Sequence, residues 1–224
     1  MLQRTNSGAA SRSRSGAVVS RPPGPLHVAI TGGACAGKST VLSYFAELGV
    51  PTFSADEVAR ELTRPGTSLA KAVAEAVGPG ATLPDGALNR RFIARRIFED
   101  DSLRRKVEAL LHRPIMARLG DLSAQTPGDV HCFEIPLLIE AGLQGEFHRV
   151  ILCRCGRREQ MRRLVARWEG DERLARRILS AQISDAERRP HAHFVVMTNR
   201  PPEKVRKRVE AILANLRRTS RVHA

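Results

Sequence analysis

At 224 residues with 42% hydrophobic side chains, the chain can bury a substantial core, which excludes a wholly disordered protein. Its formal charge of +14 favours polyanionic partners: nucleic acid, an acidic membrane surface or phosphorylated small molecules. No apolar run approaches the roughly 18 residues of a membrane span, and the arginines are spread along helical stretches, as on a solvated face, where a nucleic-acid footprint would cluster them.

Residues 1–25 are rich in Ser, Arg, Gly and Pro, contain no acid and have no apolar face, so they read as a disordered basic tail. The composition also occurs in transit peptides, but the amphipathic period of such leaders is missing. LHVAIT, starting at Leu26, is an apolar run ending in Gly32-Gly33, a buried strand that opens into a tight loop. Val41, Phe45 and Leu48 then recur at helical spacing, and Gly49 ends that helix. PTFSAD (51–56) predicts a second strand, followed by a helix through Val58 and Leu62 that Pro65-Gly66 terminates.

Residues 67–124 read as mostly helical, with Leu103, Val107, Leu110 and Leu111 on one face and a turn-rich break at GPGATLPDG. Strand character returns at VHCFEI (130–135), FHRVILCRC (147–155) and HFVVMT (193–198). A strongly basic helical region covers 157–181. A closing helix over 203–218 keeps Val205, Val209, Ile212, Leu213 and Leu216 in register, and 219–224 is left as a short tail. Strands alternating with helices predict an α/β fold with a parallel sheet covered on both faces. Cys35, Cys132, Cys153 and Cys155 form no C-x-x-C pair and follow no secretory leader, which fits a reducing cytoplasm. Cys153 and Cys155, on either side of Arg154, read as buried strand residues and not as metal ligands.

Gly32-Gly33-Ala34-Cys35-Ala36-Gly37-Lys38-Ser39, followed by Thr40, is a complete G-x-x-x-x-G-K-S phosphate loop between an apolar strand and an amphipathic helix. Small residues let successive backbone N–H groups curl around phosphate oxygens, Lys38 adds a mobile cation, and the Ser39 hydroxyl can ligate Mg²⁺. The loop predicts a nucleoside-triphosphate site but leaves the reaction open. The chain has no N-K-x-D guanine signature and no aliphatic run ending in Asp-Glu, which argues against a GTPase or a motor. An acid at the second strand and a late Arg-rich segment suit a small-molecule kinase.

The series AITGGACAGKST, SADEVARELTRPG, DGALNRRFIARRIFEDD, ALLHRPI, EIPLLIEAGL, EQMRRLVAR, RILSAQIS and VVMTN resembles the dephospho-coenzyme A kinase family over residues 26–218. PLLIE followed by Q-x-x-R-x-x-x-R and then AQ is its most discriminating part. The resemblance implies a P-loop NTPase fold: a five-stranded parallel core, a helical coenzyme-binding insertion at 67–124 and a lid at 157–181. It also implies phosphorylation of the ribose 3′-hydroxyl of dephospho-coenzyme A by ATP with Mg²⁺, in the cytoplasm, with a small molecule and not a nucleic acid or membrane as partner. The sequence is compatible with a monomer.

On that resemblance Asp56 matches the second acid of the family's Asp-Ala-Asp and would accept a proton from the sugar hydroxyl or hold Mg²⁺ through water; read on its own, it would be a helix N-cap. Ser54 stands where the family has the first acid. Arg163 and Arg167, four residues apart on one helix face, would clamp the transferring phosphoryl group; read on their own, they suit a solvated basic helix equally well. Trp168 stands where the family has Asp. His112 matches the family's His-Pro histidine, although Arg113 intervenes before Pro114, and it suits a packing role equally. Pro136, Leu137, Leu138 and Glu140 would line the acceptor cleft, and Glu134 is either an outer acid for magnesium or a strand-edge charge. His193 and Thr198 replace acids near the adenine pocket, where Asn199 remains. Two other readings stay open: a different nucleoside or nucleotide kinase, and a catalytically weakened P-loop protein that binds RNA through its arginines.

Overall fold

The computed structural model describes residues 24–220, so the expected N-terminal tail, apart from Gly24 and Pro25, lies outside the described residues. Five strands, β1 (Leu26–Thr31), β2 (Thr52–Ser54), β3 (Val130–Glu134), β4 (Arg149–Arg154) and β5 (Phe194–Met197), form one sheet in the order β2-β3-β1-β4-β5. Every pairing is parallel. The expected five-stranded parallel P-loop fold is therefore present. Its strand order reverses beside β1, placing a ligand crevice at the carboxyl ends of β1 and β3.

The strand periodicity of two sorts the side chains between two cores. Val28 and Ile30 of β1 pack with Val41 and Phe45 of α1 (Lys38–Glu47) and with Val209 and Leu216 of α9 (Pro202–Ser220). On the opposite face Ala29 and Phe133 pack against α2 (Ala55–Leu62) and α5 (Asp101–Ala124) through Val58 and Leu119. All five apolar residues singled out in the closing helix are buried, and that helix runs to Ser220, two residues beyond the expected end.

The insertion comprises α3 (Ser68–Val77), α4 (Arg90–Glu99) and α5, with the turn-rich break between the first two. It has its own core, including Val73, Ile93, Leu103 and Val107. α5 continues through Pro114, although proline withholds one helical N–H. The basic region at 157–181 departs from a single helix: α6 (Arg157–Arg167) stops and α7 (Glu172–Ser180) restarts. Glu169 (φ 54°) and Gly170 (φ 91°) are left-handed there, which ends a right-handed helix, and the Asp171 side chain then caps α7. A short helix α8 (Asp185–Arg188) leads into β5. Cys153 and Cys155 are buried free thiols as expected, although Cys155 lies one residue past β4, and Cys132 is buried as well. No helix among the described residues is long and apolar enough to cross a membrane.

Candidate active site

The phosphate loop joins β1 to α1 in a conformation that its glycines permit. Gly32 has φ 145°, and a β-carbon there would collide with the Cys153 carbonyl of β4. Gly37 has φ 86°, and a β-carbon would come within 2.8 Å of Thr198. Cys35 adopts φ 56° without being glycine, a backbone cost that the surrounding contacts sustain. Gly37 is the N-cap of α1 and offers no side-chain cap, so the first-turn N–H groups remain available to an anion. Lys38 is buried, and its Nζ donates to the carbonyls of Gly32 and Gly33, 3.1 Å each.

Lys38, Ser39, Asp56, Glu134 and Arg167 line a cavity of about 230 Å³. Glu134 ends β3, an interior strand, and is 5% exposed, so the strand-edge alternative fails. Ser39 Oγ donates to Glu134 Oε1 at 3.5 Å. Burial pushes the Glu134 carboxyl up, opposed chiefly by Lys38. A hydroxyl and a carboxylate side by side at the phosphate loop are oxygen donors suited to Mg²⁺.

Asp56 lies beyond the second strand, whose observed end falls two residues short of the expected one. β2 ends at Ser54, and Asp56 lies in the first turn of α2. Ser54 Oγ accepts from the Glu57 N–H at 3.4 Å, so Ser54 is the cap and Asp56 is not. The short serine side chain closes the helix end and leaves the Asp56 carboxylate facing the cavity.

Two glutamines hold the loop at Ala34. Gln160 Nε2 donates to the Ala34 carbonyl at 2.7 Å, and the Ala34 N–H donates to Gln182 Oε1 at 2.9 Å. Both stand within the family-like motifs, but spacing along the chain gives no sign of this role, because their partners are 126 and 148 residues away. Arg163 and Arg167 separate in place. Arg163 is bound to Glu159 (2.8 Å), the Thr198 carbonyl (3.0 Å) and the Cys35 carbonyl (3.4 Å), behind the loop, while Arg167 lines the cavity. Thr198 Oγ1 donates to the Ala36 carbonyl at 2.6 Å, so this replacement also braces the loop. Trp168 lines the same cavity and packs on the cluster that holds Leu164, Leu174 and Ile178.

A second, larger cavity of about 640 Å³ adjoins the first, sharing Asp56, Pro136 and Leu137 with it. His112 and Glu140 line it, whereas Leu138 is fully buried in the core. His112 Nε2 is buried without a hydrogen-bond partner, which favours contact with a ligand over pure packing. Glu140 accepts from Arg188 Nη2 at 2.6 Å, a guanidinium only 3% exposed. Asn199 lies apart from both cavities, in a surface depression shared with Gly156 and Arg157 at the start of α6.

The dephospho-CoA kinase family profile matches residues 26–202. A dephospho-CoA kinase of Methylococcus capsulatus is 37% identical over 77% of this chain and 87% of its own. A Thermus thermophilus crystal structure superposes with TM-score 0.71 at 28% identity, covering 86% of this chain and 98% of that one. The dephospho-CoA kinase structure from Campylobacter jejuni, at 18% identity and TM-score 0.59 over 85% and 96% of the two chains, shares the fold. The chain belongs to the dephospho-CoA kinase family.

Proposed function

We propose that this chain transfers the terminal phosphoryl group of ATP to the ribose 3′-hydroxyl of dephospho-coenzyme A, giving coenzyme A and ADP. The observation that carries this reading is the junction of the two cavities: Asp56 belongs to both, between the phosphate loop and a mostly apolar chamber. In the transfer, the 3′-oxygen attacks the terminal phosphorus, the bond to the ADP oxygen breaks, and the hydroxyl proton passes to the Asp56 carboxylate. The loop N–H groups and Lys38 hold the phosphates, and Arg167 meets charge on the transferring group. Mg²⁺ held at Ser39, with Glu134 beside it, would neutralise phosphate charge. Arg163 acts through the loop: it fixes the Cys35 and Thr198 carbonyls. Asn199, in the depression at the start of α6, would contact the adenine of ATP.

Residues 157–181 act as the lid over this junction, and residues 67–124 as the acceptor-binding insertion. Lid and insertion are clasped by Arg91–Glu169 (2.7 Å), Arg95–Asp171 (3.3 Å) and Arg177–Glu99 (3.0 Å). The pairs are exposed, contribute little stability each and can open without great cost. Free thiols fit a reducing cytoplasm as the setting. ATP consumption with dephospho-coenzyme A, compared with adenosine and AMP, tests the assignment. Preference for dephospho-coenzyme A is expected; equal or better turnover of another acceptor would overturn it. RNA binding that weakens steeply with salt, without any ATP turnover, would replace it with the nucleic-acid reading.

A further inference from the structure

Beyond the lid, a third opening of about 210 Å³ is lined by Arg90, Arg91, Arg167, Trp168 and Glu169. Arg167 and Trp168 form its border with the phosphate-loop cavity, so the two spaces are neighbours. Three guanidiniums converge there against one carboxylate, and Glu169 is already bound to Arg91 at 2.7 Å. Among the described residues neither Arg90 nor Arg167 has a carboxylate within ion-pair distance. Arg90 opens α4, and its Nη2 donates to Thr63 Oγ1 at 3.0 Å, which fixes the guanidinium to the end of α2. The remaining N–H donors of its fork are uncommitted. Burial, and then the neighbouring Arg60, hold Arg90 below the ordinary guanidinium range, while Asp56 opposes them. Arg90 is exposed, so solvent screens part of this repulsion, and an arriving anion would relieve what remains.

The large chamber is poorer in cations for that anion. Its carboxylates are Asp56, Glu108 and Glu140, of which Glu140 is paired with Arg188 at 2.6 Å and Glu108 with Arg104 at 3.8 Å. The basic residues that line it are His112 and the exposed Arg113. Dephospho-coenzyme A carries a diphosphate bridge, and a mostly apolar, acid-bearing chamber suits its uncharged parts instead.

We propose that Arg90, with Arg167 on the facing lid, forms a second anion subsite that takes the diphosphate bridge of the acceptor, separate from the phosphate loop that takes ATP. The inference rests on the acceptor being dephospho-coenzyme A and adds the residues that select its charge. It also explains the anchor on Thr63: the bond sets Arg90 at a fixed distance from the helix that carries Asp56. Anion binding here would therefore position the ribose relative to the base.

Steady-state kinetics of the full chain test it with Arg90→Gln and Arg90→Lys. Losing a charge-assisted contact predicts a KM for dephospho-coenzyme A raised by roughly tenfold or more in Arg90→Gln. The KM for ATP should stay within about twofold, and the lysine variant should recover much of the loss. The rise of the acceptor KM with salt should also be shallower in Arg90→Gln than in the wild type. An equal rise in the ATP KM would assign the subsite to the donor and overturn the proposal. So would unchanged acceptor KM, or a loss that tracks a lowered melting temperature and is not rescued by lysine, which would make the Thr63 bond merely structural. Failure of the wild type to phosphorylate dephospho-coenzyme A would strike the function itself, a distinct outcome.

Discussion

On β3, His131 and Glu134 lie three residues apart and both are buried, yet they face opposite demands. Glu134 stands at the carboxyl end beside Lys38 and Ser39, where polar groups line an open cavity and await a ligand. His131 stands near the amino end, where Ser123 Oγ lies 2.8 Å from its Nδ1 and 3.2 Å from His27 Nε2. Its ring stacks on His27 at 5.9 Å and tilts against Phe53 at 5.5 Å. One end of the sheet keeps hydrogen-bonding capacity in reserve; the other encloses it among aromatic rings. Polar residues at the first end should therefore control rate, and those at the second should control stability.

The sharpest break in that comparison is Lys38→Met. It removes the cation of the phosphate loop at nearly constant volume, and turnover should fall by about three orders of magnitude. Thermal unfolding should move little, since the lysine bonds only two loop carbonyls. Wild-type turnover would refute the loop assignment. Next in size is Asp56→Asn, with an expected loss on the order of a hundredfold in kcat. Because Ser54 caps α2, stability should be preserved; a large drop in melting temperature with unchanged turnover per folded molecule would make Asp56 structural after all.

The same division explains what could be read from the sequence. Strands and closing helix were legible because apolar periodicity directly reports burial: Val28 and Ile30 point one way, Ala29 the other. The phosphate loop was legible because its chemistry is local, with all its parts within nine consecutive residues. The sequence extends β2 two residues too far, to Asp56, because a three-residue strand runs straight into a helix and leaves no loop signal between them. The break at Trp168–Asp171 depends on a non-glycine residue, Glu169, in a left-handed conformation, which composition does not announce. Gln160, Gln182 and Arg90 act through partners 126, 148 and 27 residues away, so spacing could not assign their roles.

At the enclosed end, Ser123→Ala sharpens the contrast. Ser123 is 4% exposed, and its hydroxyl serves two imidazoles at once. Removing it leaves buried ring nitrogens without that partner, a cost of about 1–3 kcal/mol. Chemical denaturation should show this loss, while kcat and both KM values of the folded enzyme stay within twofold of wild type. A kinetic defect without a stability change would tie this end of the sheet to the reaction and undo the division.

The smallest expected effect is a pH dependence of stability. Burial holds the His131 imidazole below its ordinary range, with Asp129 opposing, and Asp129 itself is bound to Arg217 at 2.9 Å. His193 is lowered too, by burial and then by Arg149, and its Nδ1 accepts the Val150 N–H at 3.1 Å. In each case the unfolded chain takes up a proton near pH 6.5 and the folded chain only at lower pH. The unfolded state therefore binds more protons throughout that interval. Stability is complete above about pH 6.5 and declines as pH falls from there toward the folded values. The buried His131 contributes at most about 1.4 kcal/mol per pH unit, and the exposed His193 contributes less because solvent screens it. Glu159, held down to about 2 by Arg162 and then Arg163, titrates far below this window, whereas Glu134 and Glu108, which burial pushes up, hold protons more tightly in the folded chain and so work against the decline. Urea denaturation between pH 8 and 5.5 should show a plateau and then a decline. His131→Gln should flatten part of that decline whatever it does to absolute stability, and His193→Gln should flatten the remainder. A decline of the same slope in the double variant would place the titrating groups elsewhere.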